Sequence, residues 1–242
     1  MSEARPAFYA LAPGGWRDLV TLLHPPYTLW HLSYVAIGAA IAPTFDAALL
    51  GWTLLAFFLA LGIGAHALDE LHGRPLRTRI SDATLVTLAV TSVVAAAAIG
   101  VVLAVRRDLW LLAFVAAGCI LVVGYNLELL GGVLHGDVQF ALAWGAFPLA
   151  TAYFASAQKV GVVVAAAAVA AALFSLAQRV LSTQVRDVRR RARSIHGAIE
   201  WADGTVTPVD ANVVTQPAEI ALRLLAAAIF VLAVALVLVR VT

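Results

Sequence analysis

Apolar residues in this chain neither alternate nor recur on one helical face; they run almost unbroken for about twenty positions at a time. Seven such runs fall at roughly 28–45, 47–67, 83–105, 109–127, 138–157, 160–182 and 219–240. Each matches the ~17–25 residues that carry a helix through a hydrocarbon core. Helix is the expected form, because lipid offers no partner to an open sheet edge. The polar residues between runs fall into two kinds of connection. Those near Thr44–Asp46, Arg106–Asp108 and Ser156–Lys159 are short, whereas those after the second, fourth and sixth runs are long and charged. Residues 14–27, GGWRDLVTLLHPPY, predict a short interfacial helix ended by Pro25 and Pro26. In the longest connection, VRDVRRRARS is expected to prolong the sixth helix, and Asp203-Gly204 signals a hairpin turn. The expectation is a single membrane domain: a leader 1–27, six spans within 28–182, a loop 183–218 and a seventh span within 219–242.

Composition supports this pattern. Of 242 residues, 62% are hydrophobic and 12% charged, with a mean hydropathy of +0.93, whereas soluble domains are about 25% charged. An all-α, multi-pass protein of the cell membrane is expected. Its polar leader lacks a small-residue cleavage pattern, so no processing is expected. Cys119, the single cysteine, lies within the fourth run and is assigned to packing. The net charge of +2 says little, but the placement of the 16 Lys and Arg residues orients the chain. With the N-terminus inside, only Arg106, Arg107, Lys159 and Arg240 face outward and the other twelve face the cytoplasm. That split obeys the positive-inside rule and gives N-in, C-out. Membrane lipid, and not nucleic acid, is the expected surface partner.

Candidate chemistry concentrates on the cytoplasmic connections. GAHALDELHGRPLRTRIS (64–81) places His66, Asp69 and Glu70 at i, i+3 and i+4, one helical face. A face with two carboxylates can hold a hard divalent cation, and Arg74, Arg77 and Arg79 follow at once. Acids for Mg²⁺ followed by arginines for anionic oxygens suit a diphosphate; the competing reading is that the acids simply pair with those arginines. GYNLELLGGVLHGDVQFALAWGAFP (124–148) adds Tyr125, Asn126, Glu128, His135 and Asp137. The end of the sixth span adds Gln178, Arg179, Gln184, Arg186 and Asp187. His24 and His31, at the entry to the first span, are set aside as ordinary interfacial residues. Nucleophile elbows, Gly-rich nucleotide loops and zinc spacings are absent, which argues against hydrolases and nucleotide binders.

This layout resembles the UbiA superfamily of intramembrane prenyltransferases. HALDELHGRPLRT (66–78) stands where the family has an Asn-Asp-x-x-Asp-x-x-x-Asp stretch leading into Arg-Thr. YNLELLGG (125–132) followed by FALAWGAFP (140–148) resembles its Tyr-x-x-x-Lys-Arg segment and fifth span. The resemblance implies a helical bundle around a cavity open to lipid, Mg²⁺-dependent transfer from a prenyl diphosphate to a lipophilic acceptor, and loss of diphosphate through an allylic cation. By position, Asp69 and Glu70 would be catalytic metal ligands and Asp187 the second metal ligand. Arg74, Arg77 and Arg186 would meet the diphosphate, and His66, Tyr125, Asn126 and Glu128 would line the substrate site. Seven spans stand where the family usually has nine, so a second protomer could complete one wall. A terpene cyclase of the same superfamily fits the altered acidic motifs as well. From the residues alone, a small-molecule or ion transporter and an iron site built on His66, Asp69, Glu70, Glu128, His135 and Asp137 also stay open.

Overall fold

The computed structural model describes residues 5–242. After a short helix α1 (Trp16–Leu22) come α2 (Pro25–Ala40) and α3 (Ala47–Phe57). The latter passes through a π-helical stretch, Phe58–Ala65, into α4 (His66–Leu71). Two long helices, α5 (Asp82–Arg106) and α6 (Leu111–Asn126), are followed by a 3₁₀ segment at Leu130–His135. Then α7 (Asp137–Ala141) runs through a second π-helical stretch, Leu142–Ala146, into α8 (Phe147–Ala157). The chain ends with α9 (Val162–Arg191), a hairpin of β1 (Ala198–Glu200) and β2 (Val206–Pro208), and α10 (Ala211–Val241).

Five helical units are long and apolar enough to cross a membrane: Ala47–Leu71, Asp82–Arg106, Asp137–Ala157, Val162–Arg191 and Ala211–Val241. The first and fourth expected spans become shorter helices of 16 residues each. At 1.5 Å per residue each reaches about 24 Å, less than a ~30 Å core. The reason is local. α2 ends at Ala40, short of polar Thr44 within the expected run 28–45, and α6 covers 111–126 of the expected run 109–127 before the chain turns toward Gly131 and Gly132, both at positive φ. Pro25 and Pro26 do not end the leader helix, as expected; they begin α2. A proline at the first helical positions forfeits no hydrogen bond, and the break falls one residue earlier, at His24, whose φ is +45°. Two other expectations match: α9 carries its basic run to Arg191, and Gly204 turns the hairpin with φ +86°.

The helices close into a ring. α2 packs on α8 and α10, α9 on α10 and on the second π stretch, and α5 on α6 and on the first. Valines on α5, α9 and α10, including Val90, Val94, Val163, Val169 and Val231, stay exposed on the outside, as suits surface that lipid covers. Small residues allow the closest approaches. A Cβ on Gly38 of α2 would overlap the Leu149 carbonyl of α8, and one on Gly145 would lie 2.5 Å from the Ala171 carbonyl of α9. Gly38→Ala is therefore expected to cost about 1–3 kcal/mol. Gly51→Ala, with open space around it, should cost nothing; thermal unfolding in detergent compares the two.

Candidate functional site

Two turns of π-helix shape the centre of the bundle. Such turns widen a helix and leave carbonyls without their usual partner, and they recur at functional sites. In the second, the Trp144 carbonyl bonds to His31 Nδ1 on α2 at 2.8 Å. The first ends directly at His66, whose Nδ1 bonds back to the Gly62 carbonyl at 3.1 Å. His31 and His66 are thereby fixed toward a cavity of about 270 Å³ at one end of the ring.

Its walls come from segments far apart in the chain. The leader supplies Pro6 to Tyr9 and His24, α2 supplies Tyr27 and His31, and α4 supplies His66 and Asp69. Tyr125, Asn126, His135, Phe140 and Trp144 form the opposite side, and α9 contributes Gln178, Arg179, Ser182, Arg186 and Arg190. The α9 residues share a face because 178, 182, 186 and 190 recur at i+4. Rings pack edge to face and in stacks: His24 lies on His66 at 4.1 Å, and Tyr125 on His135 at 4.4 Å and Trp144 at 5.3 Å.

Electrostatically the cavity is cationic. Three guanidiniums face one carboxylate, Asp69. Arg179 is partly neutralised by Asp137 at 3.0 Å. Among the described residues, Arg186 and Arg190 have no carboxylate partner; Arg186 bonds to Thr183 and Arg190 to the Pro6 carbonyl. Neutral histidines can share such a space. His24, outside the spans, is held well below the usual histidine range, first by burial and then by His66, Arg190 and Arg186. Its Nδ1 exchanges a hydrogen bond with Tyr9 Oη at 2.8 Å, and burial pushes the Tyr9 phenol well up.

Of the residues named from sequence, His66, Asp69, Tyr125, Asn126 and Arg186 meet in this cavity. Glu70, Arg74, Arg77, Glu128 and Asp187 do not line it. Glu70 has no exposed surface and turns the other way. Its carboxylate accepts from Leu76 N–H at 2.9 Å, Thr78 N–H at 2.8 Å and Thr78 Oγ1 at 2.9 Å. Those bonds take three of its roughly four lone-pair sites, so its carboxylate organises the loop after α4 and faces away from the cavity. Arg74 is bound to Asp82 and the Ile80 carbonyl, and Arg77 is exposed. Asp187 is exposed and pairs with Arg191 at 3.1 Å, and Glu128 lies 3.9 Å from His135. Helical spacing predicted one face for Asp69 and Glu70, yet adjacent residues differ by about 100° around a helix, and that rotation sends one to the cavity and the other to the loop.

The histidines set aside from sequence, His24 and His31, are part of the wall, as are Tyr9, Tyr27 and Arg190. Arg190 belongs to the basic run expected to prolong the sixth helix, but no local signal marks the others; Tyr9 and His24 arrive because the leader folds across the end of the ring, and His31 is turned in by its bond to the Trp144 carbonyl. Leu11 N–H bonds to Thr21 Oγ1 at 3.0 Å, and the buried Asp18 carboxylate accepts from Gly14 N–H and Arg79 N–H, each at 3.0 Å.

A Mg²⁺ ion is held by one or two carboxylates plus phosphate oxygens. Asp69 fits that role alone; the three-carboxylate set anticipated from sequence does not assemble. No group of three His, Cys, Asp or Glu poised to hold a metal occurs among the described residues.

Two outcomes are expected. Glu70→Ala strands two buried amides and should lower stability by about 2–4 kcal/mol in thermal unfolding, with Glu70→Gln milder because one acceptor survives. His24 binds its proton less readily in the folded state than at its ordinary 6.5. Its contribution is therefore complete above that pH and is lost as pH falls below it. The unfolding midpoint should drop between pH 7.5 and 5.5, and drop less in His24→Asn. Comparison with known proteins yields no matching family model, no matching curated protein and no matching solved structure.

Proposed function

We propose that the chain is a cell-membrane prenyltransferase of seven spans, N-in and C-out, that takes a prenyl diphosphate and a lipophilic acceptor. One observation carries this reading. The cationic cavity shares the walls Leu61 and Trp144 with a second cavity of about 110 Å³, lined by Phe57, Ala60, Val93, Ala97, Phe114 and other apolar residues. Arginines at one end and an apolar recess at the other match an amphipathic molecule with an anionic head and a hydrocarbon chain. The apolar lining beyond Trp144 also weighs against a polar route for transport. The shorter α2 and α6 join the five long units as spans that local thinning of the bilayer accommodates. The excess of arginines at the α9 end supports placing the cavity at the cytoplasmic face.

Arg186 and Arg190, without a carboxylate partner among the described residues, would bind the diphosphate through paired N–H donors. Asp69 would hold a Mg²⁺ ion shared with phosphate oxygens, and that ion would neutralise charge on the leaving group. Fixed positive charge in a site closed by the leader stabilises the departing diphosphate more than water could. Heterolysis leaves the bonding electron pair on the diphosphate oxygen. The acceptor supplies the pair for the new bond at the allylic carbon and releases a proton. Tyr125, Phe140 and Trp144 line the cavity, and their ring faces would stabilise a carbocation formed beside them.

The test is diphosphate release by purified protein with Mg²⁺ and geranyl, farnesyl or geranylgeranyl diphosphate. Arg186→Gln and Asp69→Asn should each reduce turnover by about 100-fold. Neither release nor binding at any chain length, or turnover indifferent to Arg186→Gln, would sink the proposal.

A further inference from the structure

Three buried side-chain atoms among the described residues have no hydrogen-bond partner: His24 Nε2, Tyr125 Oη and Gln178 Oε1. All three residues line the same cavity, at 9%, 4% and 2% exposure. A buried polar atom left unsatisfied costs free energy comparable to a lost hydrogen bond, so three around one space indicate a ligand that completes them.

Their chemistry narrows that ligand. A side-chain amide oxygen only accepts, a phenol does both, and a ring nitrogen does one or the other by tautomer. Phosphate oxygens could satisfy the phenol but would meet the Gln178 oxygen as acceptor against acceptor. A hydroxyl can donate to one neighbour and accept from the next. Position sets Gln178 and Tyr125 apart from the unpaired Arg186, while the neighbouring Arg179 is engaged by Asp137 at 3.0 Å. Gln178 is eight residues, about 12 Å, along α9 from Arg186, and Tyr125 packs on Trp144, the wall shared with the apolar recess.

We infer that Tyr125, Gln178 and His24 form a subsite for the hydroxyl group of a lipophilic alcohol whose hydrocarbon portion extends past Trp144 into the apolar cavity. The placement of a phosphate beside it rests on the function proposed above, whereas the hydroxyl subsite rests on the three unpartnered atoms.

Farnesol and farnesyl methyl ether test it directly, since the ether keeps the chain and the acceptor oxygen but cannot donate. Binding to the purified protein in lipid nanodiscs is followed by tryptophan fluorescence. Farnesol should bind about tenfold more tightly than the ether, the size of one or two neutral hydrogen bonds. Gln178→Met should bring farnesol close to the ether while leaving the ether's Kd unchanged, which also reports that the variant is folded, whereas Tyr125→Phe, which removes a donor to the oxygen that both probes carry, should weaken both. Equal binding of both probes to the wild type, including no binding of either, overturns the subsite, as does discrimination that survives Gln178→Met. Neither probe carries phosphate. Preserved discrimination without any prenyl diphosphate turnover would therefore remove the proposed function and leave the subsite standing, and the converse would remove the subsite alone.

Discussion

The buried carboxylate of Glu70 ties together the end of the molecule that carries the cavity. A charge with no exposed surface is tolerable only when hydrogen bonds replace its water, and the amides of Leu76 and Thr78 with the Thr78 hydroxyl do so. In meeting that requirement they fold the loop after α4 back on itself. The fold buries Leu76 against Ala7 and Ala10 of the leader and brings Arg79 N–H to Asp18. Two carboxylates thus dock one loop and one leader. The leader's Pro6 to Tyr9 then form a wall of the cavity.

The helices meet that leader with an unusual concentration of polar groups. Arginine and histidine are costly in apolar surroundings, and the fold answers each differently. His31 and His66 bond to the carbonyls of Trp144 and Gly62 in the two π-helical stretches, Arg179 has Asp137, and Arg189 has Glu219 at 2.5 Å. Among the described residues, Arg186 and Arg190 meet a hydroxyl and a carbonyl and no carboxylate. Both of those guanidiniums line the cavity, which is why an anionic ligand is proposed there. An apolar recess adjoins that cavity across Leu61 and Trp144.

Much of the candidate site was legible in the order of residues. Tyr125 and Asn126, at the end of a long apolar run, could be assigned to a polar rim, and Arg186 could be placed on a helix prolonged by its basic stretch. Asp69 and Glu70 could not be told apart, because they are neighbours of like chemistry. Their difference lies in about 100° of helical rotation and in a loop whose amides lie on one side only. His24 and His31 could not be assigned either, since nothing near them in sequence marks a site. They become wall residues through contacts with α4 and α8's preceding turn, far along the chain.

By itself the sequence determined the apolar helices, five of them long enough to cross a membrane. Long apolar runs force helix in lipid, and the uneven spread of 16 Lys and Arg residues is the ground for the expected orientation; both are properties summed over segments and need no partner. Tertiary structure alone decided which polar residues meet. It turned Glu70 inward to the loop, left Asp187 exposed beside Arg191, and carried the leader's Tyr9 and His24 over the end of the ring. The reason is physical: a buried polar group is directed by the particular donors and acceptors within about 3 Å of it, and in a ring of helices most of those come from distant parts of the chain.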